Sequence, residues 1–255
     1  MEVHFLGTGN AQSGKSRLNT SLLLASNENY ILVDCSGTPS NSLARKGIPL
    51  RSIANIVLTH AHVDHIYALP SFLHSLWLGT HATGGAKVRI HANGETLLVA
   101  ERLIDAFGLR EKPSAVEIEL VYLDDDPTKV QAPFGEWSIE SFGVNHGVPT
   151  VGLQLTNGLD RVVFSADSTV CDSIASRTSG ARLLIHDCCG IESGPGHAGA
   201  ADINAMIKDS GCALVYLAHL PELSEQEMQE IVRQVQNGFA GRVVIAHDGD
   251  VVRMP

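Results

Sequence analysis

The stretch Val57-Leu58-Thr59-His60-Ala61-His62-Val63-Asp64-His65 constrains this chain more than any other. The apolar run Ile53 to Leu58 before it predicts a buried strand that stops at Thr59. The stretch after it, beginning Ile66-Tyr67-Ala68-Leu69, has the amphipathic pattern of a helix running to about Leu78. Between the two, three histidines and an aspartate fall within six residues. Neutral imidazole and carboxylate are the ligands that borderline divalent metals such as zinc prefer. In an extended or turning segment His60 and His62 point the same way, as alternate residues of a strand do. Asp64 and His65 then fall on the turn into the helix, where they can serve a second ion. A metal-free histidine-rich loop would need only one of these residues, not four at this spacing.

The rest of the sequence places this motif in one α/β domain. With 255 residues, 44% hydrophobic and 18% charged, the chain can bury a substantial core, and no linker divides it, so a single domain over residues 1–255 is expected. Strands are predicted at Val3–Leu6, Ser21–Ala25, Tyr30–Asp34 and Val88–His91. Helices are predicted at Asn41–Lys46, before Gly47, and at Glu95–Phe107. A β-rich middle follows, at Val116–Leu123, Trp137–Val144, Val151–Thr156 and Arg161–Ser165. Strands at Leu183–His186, Ala213–Ala218 and Val243–Ala246 then alternate with helices at Ala198–Lys208 and Glu222–Val235. Two β-rich halves with helices outside suggest a four-layer αββα sandwich with its site at converging strand ends.

Charge and cysteine content narrow the function. The net charge of −10 argues against gripping long nucleic acid, which calls for a basic stripe; Lys15/Arg17 and Arg45/Lys46/Arg51 are thin candidates for one. A small anionic substrate drawn to a metal centre remains compatible with this charge. The five cysteines, at 35, 171, 188, 189 and 212, are odd in number and form no CxxC pair. Unpaired thiols in a reducing, cytoplasmic compartment are therefore expected. The residues from Met1 to Leu6 read as a strand without a basic n-region or long apolar stretch, so neither a signal peptide nor a membrane span is expected.

Three more candidate ligands follow strands: His146 in Asn145-His146-Gly147-Val148-Pro149, Asp167 in Ala166-Asp167-Ser168, and His219 in Leu217-Ala218-His219-Leu220-Pro221. Each alone would be an ordinary hydrogen-bonded residue, but they share one placement: apolar strand, ligand, turn. Together with Phe5-Leu6-Gly7-Thr8-Gly9, Asn19-Thr20-Ser21, Leu32-Val33-Asp34-Cys35 and the terminal Ala246-His247-Asp248-Gly249, they resemble the metallo-β-lactamase superfamily over nearly the whole chain. Within it they resemble the ribonuclease Z-like phosphodiesterases. The resemblance implies one metal on His60, His62, His146 and Asp167, and another on Asp64, His65, His219 and the shared Asp167. Two such ions, zinc or else manganese, would ready a bridging hydroxide and clamp phosphoryl oxygens during in-line attack. Asp34 is a candidate for orienting an imidazole from behind. His197, in Gly194-Pro195-Gly196-His197, is the candidate proton donor to the leaving oxygen, with Asp187, where family members often carry glutamate, orienting it. His247 and Asp248 are candidates for contact with substrate or with each other.

A rival motif lies near the N-terminus. Gly9-Asn10-Ala11-Gln12-Ser13-Gly14-Lys15-Ser16 matches GxxxxGK[ST] and follows a strand, as a phosphate-binding loop of a nucleotide switch would. Such a loop must open a helix. Asn19 to Leu24 reads instead as a short strand.

Ribonuclease Z relatives grip tRNA with a basic, Gly/Pro-rich arm ahead of the histidine that is His146 here. The corresponding region, about Glu95 to Phe134, is short and carries Asp124-Asp125-Asp126. Acidic residues repel a tRNA backbone. The arm-less pattern resembles phage anti-Pycsar cyclic-nucleotide phosphodiesterases, so a cyclic nucleotide is the expected substrate. tRNA 3′-end cleavage is the alternative, and lactone opening also occurs on the fold. Relatives are commonly homodimers, and the apolar positions of the Ile66–Leu78 helix or the neighbouring loops are the expected interface.

Overall fold

The structure is a computed structural model that describes residues 1–254 except 13, 124–127, 131 and 133. In chain order its elements are β1 (Glu2–Gly7), β2 (Ser21–Ser26), β3 (Asn29–Val33), α1 (Pro39–Arg45), β4 (Ile53–Val57), α2 (Val63–Ile66), α3 (Leu69–Thr80), β5 (Lys87–Ala92), α4 (Gly94–Ala106) and β6 (Glu117–Tyr122). There follow β7 (Thr128–Lys129), β8 (Ser138–Gly143), β9 (Val151–Thr156), β10 (Arg161–Phe164), α5 (Asp172–Thr178), β11 (Leu183–Asp187), α6 (Ala200–Ile207), β12 (Leu214–Ala218), α7 (Glu225–Val235), β13 (Arg242–Ile245) and β14 (Val251–Arg253).

Among the described residues the strands form two seven-stranded sheets, ordered β14-β1-β2-β3-β4-β5-β6 and β13-β12-β11-β10-β9-β8-β7. Strands β3 to β6 run parallel, as do β10 to β13. Continuous apolar runs such as Leu22-Leu23-Leu24 and Ile31-Leu32-Val33 are buried on both faces, as a covered sheet requires. Leu22, Leu24, Ile31 and Val33 face Leu153, Phe164, Leu183 and Ile185 of the other sheet. Leu23 and Leu32 turn outward to meet Leu43, Phe72, Leu73 and Ala100 of the helices. On the far side Val163, Leu184 and Val215 pack under Ile174, Ile203, Ile207 and Ile231. This is the expected αββα sandwich.

Three departures have local causes. The helix expected from Ile66 to Leu78 is two helices, because Pro70 lacks an N–H and fits only the first turn of α3. Helix α5 went unforeseen because only Ile174 and Thr178 of its seven residues are buried, too weak a stripe to read. Strand β14 is three residues long and is held by pairing with β1.

The Gly9–Ser16 motif opens no helix. Its described residues run as loop until β2 starts at Ser21, and the chain folds back on itself through Gly9 N–H to Leu18 O (2.7 Å) and Thr20 N–H to Gly9 O (2.9 Å). A side chain at Gly7 would collide with Asn19 O, so only glycine permits that return. The nucleotide-switch reading is thereby excluded. The acidic run Asp124–Asp126 lies outside the described residues.

Candidate metal centre

Parallel strands deliver their carboxyl ends to one edge of the sandwich, where connecting loops carry the polar residues. Asp34 follows β3; His60, His62, Asp64 and His65 follow β4; His146 follows β8, Asp167 follows β10 and His219 follows β12. The loops of the two sheets are tied to each other there. Val151 N–H donates to Thr59 O (3.0 Å), and Leu220 N–H donates to Thr8 O (3.1 Å).

All seven ligand candidates come together. One set is His60, His62, His146 and Asp167; the other is Asp64, His65, His219 and the same Asp167, and within each set the ligand atoms lie within 4.8 Å of one another. Asp167 Oδ2 stands 3.7 Å from His60 Nε2, 3.2 Å from His65 Nε2 and 3.1 Å from His219 Nε2. His62 Nδ1 is 3.1 Å from both His60 Nε2 and His146 Nε2.

The partners behind each ring settle which nitrogen faces inward. Asp34, fully buried, accepts from His65 Nδ1 (2.8 Å) and from the Thr59 N–H (2.8 Å) and hydroxyl. With its hydrogen given to Asp34, the Thr59 oxygen can only accept from His60 Nδ1 (3.0 Å). Thr20 likewise donates to Gly9 O and accepts from His219 Nδ1 (3.1 Å). His146 Nδ1 donates to Gly196 O (2.9 Å). All four rings therefore keep Nδ1–H outward and turn Nε2 to the cluster. The neutral rings of His60, His146 and His219 present a lone pair there, and His65 would present one once a bound cation displaced its second proton.

Protonation follows the same geometry. Burial keeps His60, His146 and His219 below the usual histidine range, His219 at about 4, so these rings are neutral and able to ligate. Burial also works against charge on His65, but Asp167 and Asp34 outweigh it and hold the imidazole high. Burial opposes ionisation of Asp167, yet the surrounding imidazoles of His219, His65 and His60 keep it well below the carboxylate norm. Two buried atoms of the second set, Asp64 Oδ2 and His65 Nε2, have no hydrogen-bond partner. Buried polar atoms are rarely left so. A divalent cation satisfies both, so the residues fit the metal that their chemistry calls for.

Strain accompanies the site. Asp34, Ala166 and His219 hold φ of +57°, +53° and +58°, each at a strand end beside the cluster. Such backbone costs of order 1–3 kcal/mol per residue and persists where packing over-determines it.

His197 stands beside the cluster, its ring 5.3 Å from that of His219 and 5.0 Å from that of His146. Its Nδ1 lies 2.7 Å from Asp187 Oδ2, which also accepts the Ser168 N–H (3.0 Å). Burial pushes Asp187 up to about 7, and the hydrogen bond to Asp187 raises His197. The last two candidates sit elsewhere. His247 is 60% exposed and borders a cleft with Met228 and Val232 of α7, where its nearest carboxylate is Asp250, at 4.0 Å. Asp248 accepts from the Thr8 hydroxyl (2.8 Å) and the Leu18 N–H (2.7 Å), which anchors the loop that carries Thr20. The partners that sequence reasoning missed are Thr59, Thr20 and the Gly196 carbonyl. No residue type or spacing announced them.

A family model described as anti-Pycsar protein Apyc1 matches residues 1–243. The chain belongs to that family. A relative, the ribonuclease Z of Haloarcula marismortui, is 24% identical over 299 residues that cover 98% of this chain and 95% of the relative. Among solved structures, the metallo-beta-lactamase fold protein YhfI from Bacillus subtilis superimposes with a TM-score of 0.81 at 22% identity over 98% of both chains. Human tRNase Z, short form, gives 0.78 at 19% identity over 100% of both. The Apyc1-family chain is thus a metal-binding, ribonuclease Z-like phosphodiesterase of the metallo-β-lactamase superfamily, a hydrolase of phosphoester bonds.

Replacing Asp34 by alanine frees both His65 and Thr59 to turn. Metal affinity, measured by competition with a chromogenic chelator, is expected to fall about 10–100-fold. Unchanged affinity would contradict the proton assignments above.

Proposed function

We propose that this Apyc1-family protein hydrolyses a small phosphodiester, foremost a cyclic nucleotide, at a centre of two divalent ions. His60, His62, His146 and Asp167 hold one ion; Asp64, His65, His219 and the same Asp167 hold the other. The observation that carries this reading is the shared carboxylate of Asp167, within reach of both ligand sets. Donor sets rich in imidazole and carboxylate and free of thiolate suit zinc, with manganese second. When bound, such a pair supplies positive charge to the phosphoryl oxygens and makes a water nucleophilic near neutral pH.

The chain's own residues do the rest. Asp64, whose Oδ2 is otherwise unpartnered, is placed to orient the attacking water. His197 keeps a proton because Asp187 accepts from its Nδ1, and it delivers a proton from Nε2 to the leaving oxygen. Ser168 N–H fixes the Asp187 carboxylate in turn.

A small substrate is supported by charge and shape. The chain carries −10, and a cleft of about 640 Å³ bordered by Asn145, His146, Thr169 and Gly196 opens beside the ligands, a size usual for small molecules. The relatives named ribonuclease Z favour a second reading, cleavage at tRNA 3′ ends. A panel of cyclic mononucleotides, cyclic dinucleotides, precursor tRNA and a lactone, tested with metal-reconstituted protein, separates the readings. Cyclic nucleotides are expected to turn over fastest, and His62→Ala or Asp64→Ala to cut the rate by roughly a thousandfold or more with the fold intact. Cleavage of precursor tRNA alone would transfer the function to the second reading.

The pH dependence tests the proton donor. His197 is raised by Asp187, so its proton persists to higher pH than a free imidazole's, and kcat declines as pH rises through that value. Asp187→Asn removes the carboxylate that raises it, and the alkaline limb of the kcat profile is expected to move to lower pH. A limb that stays in place would remove His197 from the mechanism.

We propose further that the protein acts in the cytoplasm, where its five free thiols stay reduced, and that two copies pair. No helix among the described residues is long and apolar enough to cross a membrane. The proposed pairing surface is the exposed part of the Ile66–Leu78 stretch and the segments beside it. Ile66, Leu69, Phe72, Leu73 and Leu76 are committed to the chain's own core, whereas Val63, Tyr67 and Phe107 are 70%, 45% and 61% exposed around an apolar groove of about 680 Å³. A second copy covering this groove is expected to give a dimer in sedimentation velocity, and Phe107→Asp a monomer. A monomeric parent protein would discard the pairing and leave the chemistry untouched.

A further inference from the structure

The Gly9–Ser16 stretch is no nucleotide switch, yet its lysine helps to wall a cleft unlike the rest of the surface. The cleft encloses about 460 Å³ between the Gly14–Leu18 loop, α1 and the end of β1; Lys15, Arg17, Ser42, Arg45, Lys46 and Asp248 border it. Four of the chain's 18 lysines and arginines thus converge in one place on a protein whose net charge is −10.

These four are not equivalent. Arg17 is tied down through Nη1, which donates to the Thr8 hydroxyl and to Ala246 O (both 2.6 Å), and Asp248 lies on the same Thr8 hydroxyl. Asp248 is itself engaged by Thr8 and by the Leu18 N–H, so this arginine and this aspartate offset each other. Lys15, Arg45 and Lys46 have no carboxylate within ion-pair distance among the described residues, although the chain has acidic residues in excess. Three like charges facing one cavity repel unless an anion enters between them.

Glu222 shows which side of the loop remains free. Its carboxylate accepts the Lys15 N–H (3.1 Å), the Ser16 N–H (3.3 Å) and the Ser16 hydroxyl (2.7 Å). The backbone donors that a phosphate-binding loop would offer are thus already occupied by the protein's own carboxylate. Glu222 is not among the residues bordering the cleft, and the Lys15 side chain is.

We infer that this cleft is a second ligand site, apart from the metal centre, for a phosphate-bearing small molecule of the nucleoside diphosphate class, bound between Lys15, Arg45 and Lys46. Ammonium and guanidinium groups are the side chains that hold phosphate by charge-assisted hydrogen bonds, and Ser42 and Thr38 add hydroxyls at the wall. The volume suits a nucleotide and not a nucleic-acid duplex.

Calorimetric titration of the metal-loaded protein with ADP tests this site, with Lys46→Glu and Lys15→Glu as variants and adenosine as the phosphate-free control. Neither lysine has a part in the metal centre, so both variants should hydrolyse bis(p-nitrophenyl) phosphate at the parent rate. One ADP per chain is expected, adenosine should not bind, and each variant should weaken ADP by at least about tenfold. If Lys46→Glu does not fold, Lys15→Glu, on an exposed loop, decides alone. The inference is overturned by no ADP binding at millimolar concentration, by affinity unchanged in the folded variants, or by binding of oligonucleotides without ADP. ADP that competes with substrate and ignores both charge reversals would belong to the metal centre, and would overturn it too.

Discussion

The carboxylate of Asp167, 3% exposed, lies within 3.7 Å of three imidazoles from two distant parts of the chain. An ionised carboxylate at such depth is costly to maintain unless opposite charge surrounds it. Here His65, whose imidazole is held high between Asp167 and Asp34, supplies that charge, and the cations that the cluster fits would supply the rest. Much of the architecture can be understood as the means of keeping those rings in place. Each ring is pinned through Nδ1 by a group that can only accept or that has already spent its hydrogen: Asp34, Thr59, Thr20 and the Gly196 carbonyl. Remove any one and a ring is free to rotate its lone pair away from the cluster.

The two sheets divide this work. The first supplies Asp34, Thr59 and the cluster from His60 to His65; the second supplies His146, Asp167, Asp187 and His219. Neither sheet alone assembles a ligand set, so the face-to-face packing of Val33 and Leu24 against Leu153, Phe164 and Ile185 has chemical as well as structural consequences. The cross-sheet hydrogen bonds Val151 to Thr59 and Leu220 to Thr8 fix the relative height of the loops. Left-handed backbone at Asp34, Ala166 and His219 turns the chain sharply at each strand end, where Asp34, Asp167 and His219 leave the pleat for the cluster.

The ligand candidates were legible in the sequence because metal chemistry restricts residue type severely and strand ends restrict position. An apolar run followed by histidine or aspartate is a pattern that survives without three-dimensional information, and His146, Asp167 and His219 all carry it. The strands covered on both faces were legible for a similar reason, since Leu22–Leu24 and Ile31–Val33 are apolar without alternation. What could not be read were the pinning groups. Thr20 and Thr59 are ordinary threonines whose role depends on a ring that arrives from elsewhere in the chain. Nor could the exposed apolar positions be told apart from the buried ones: periodicity along Ile66–Leu78 cannot distinguish a face that meets its own sheet from one left in solvent. The Lys15 loop shows a third limit, a motif matched letter for letter whose backbone donors are taken by Glu222.

The account stands on Asp167 serving two ions at once. Anomalous diffraction from crystals of the metal-loaded protein, collected at the absorption edge of the bound metal, measures this most directly. Two peaks per chain are predicted, one among His60, His62 and His146 and the other among Asp64, His65 and His219, with Asp167 touching both. A single peak, or peaks that leave Asp167 uncoordinated, would contradict the account.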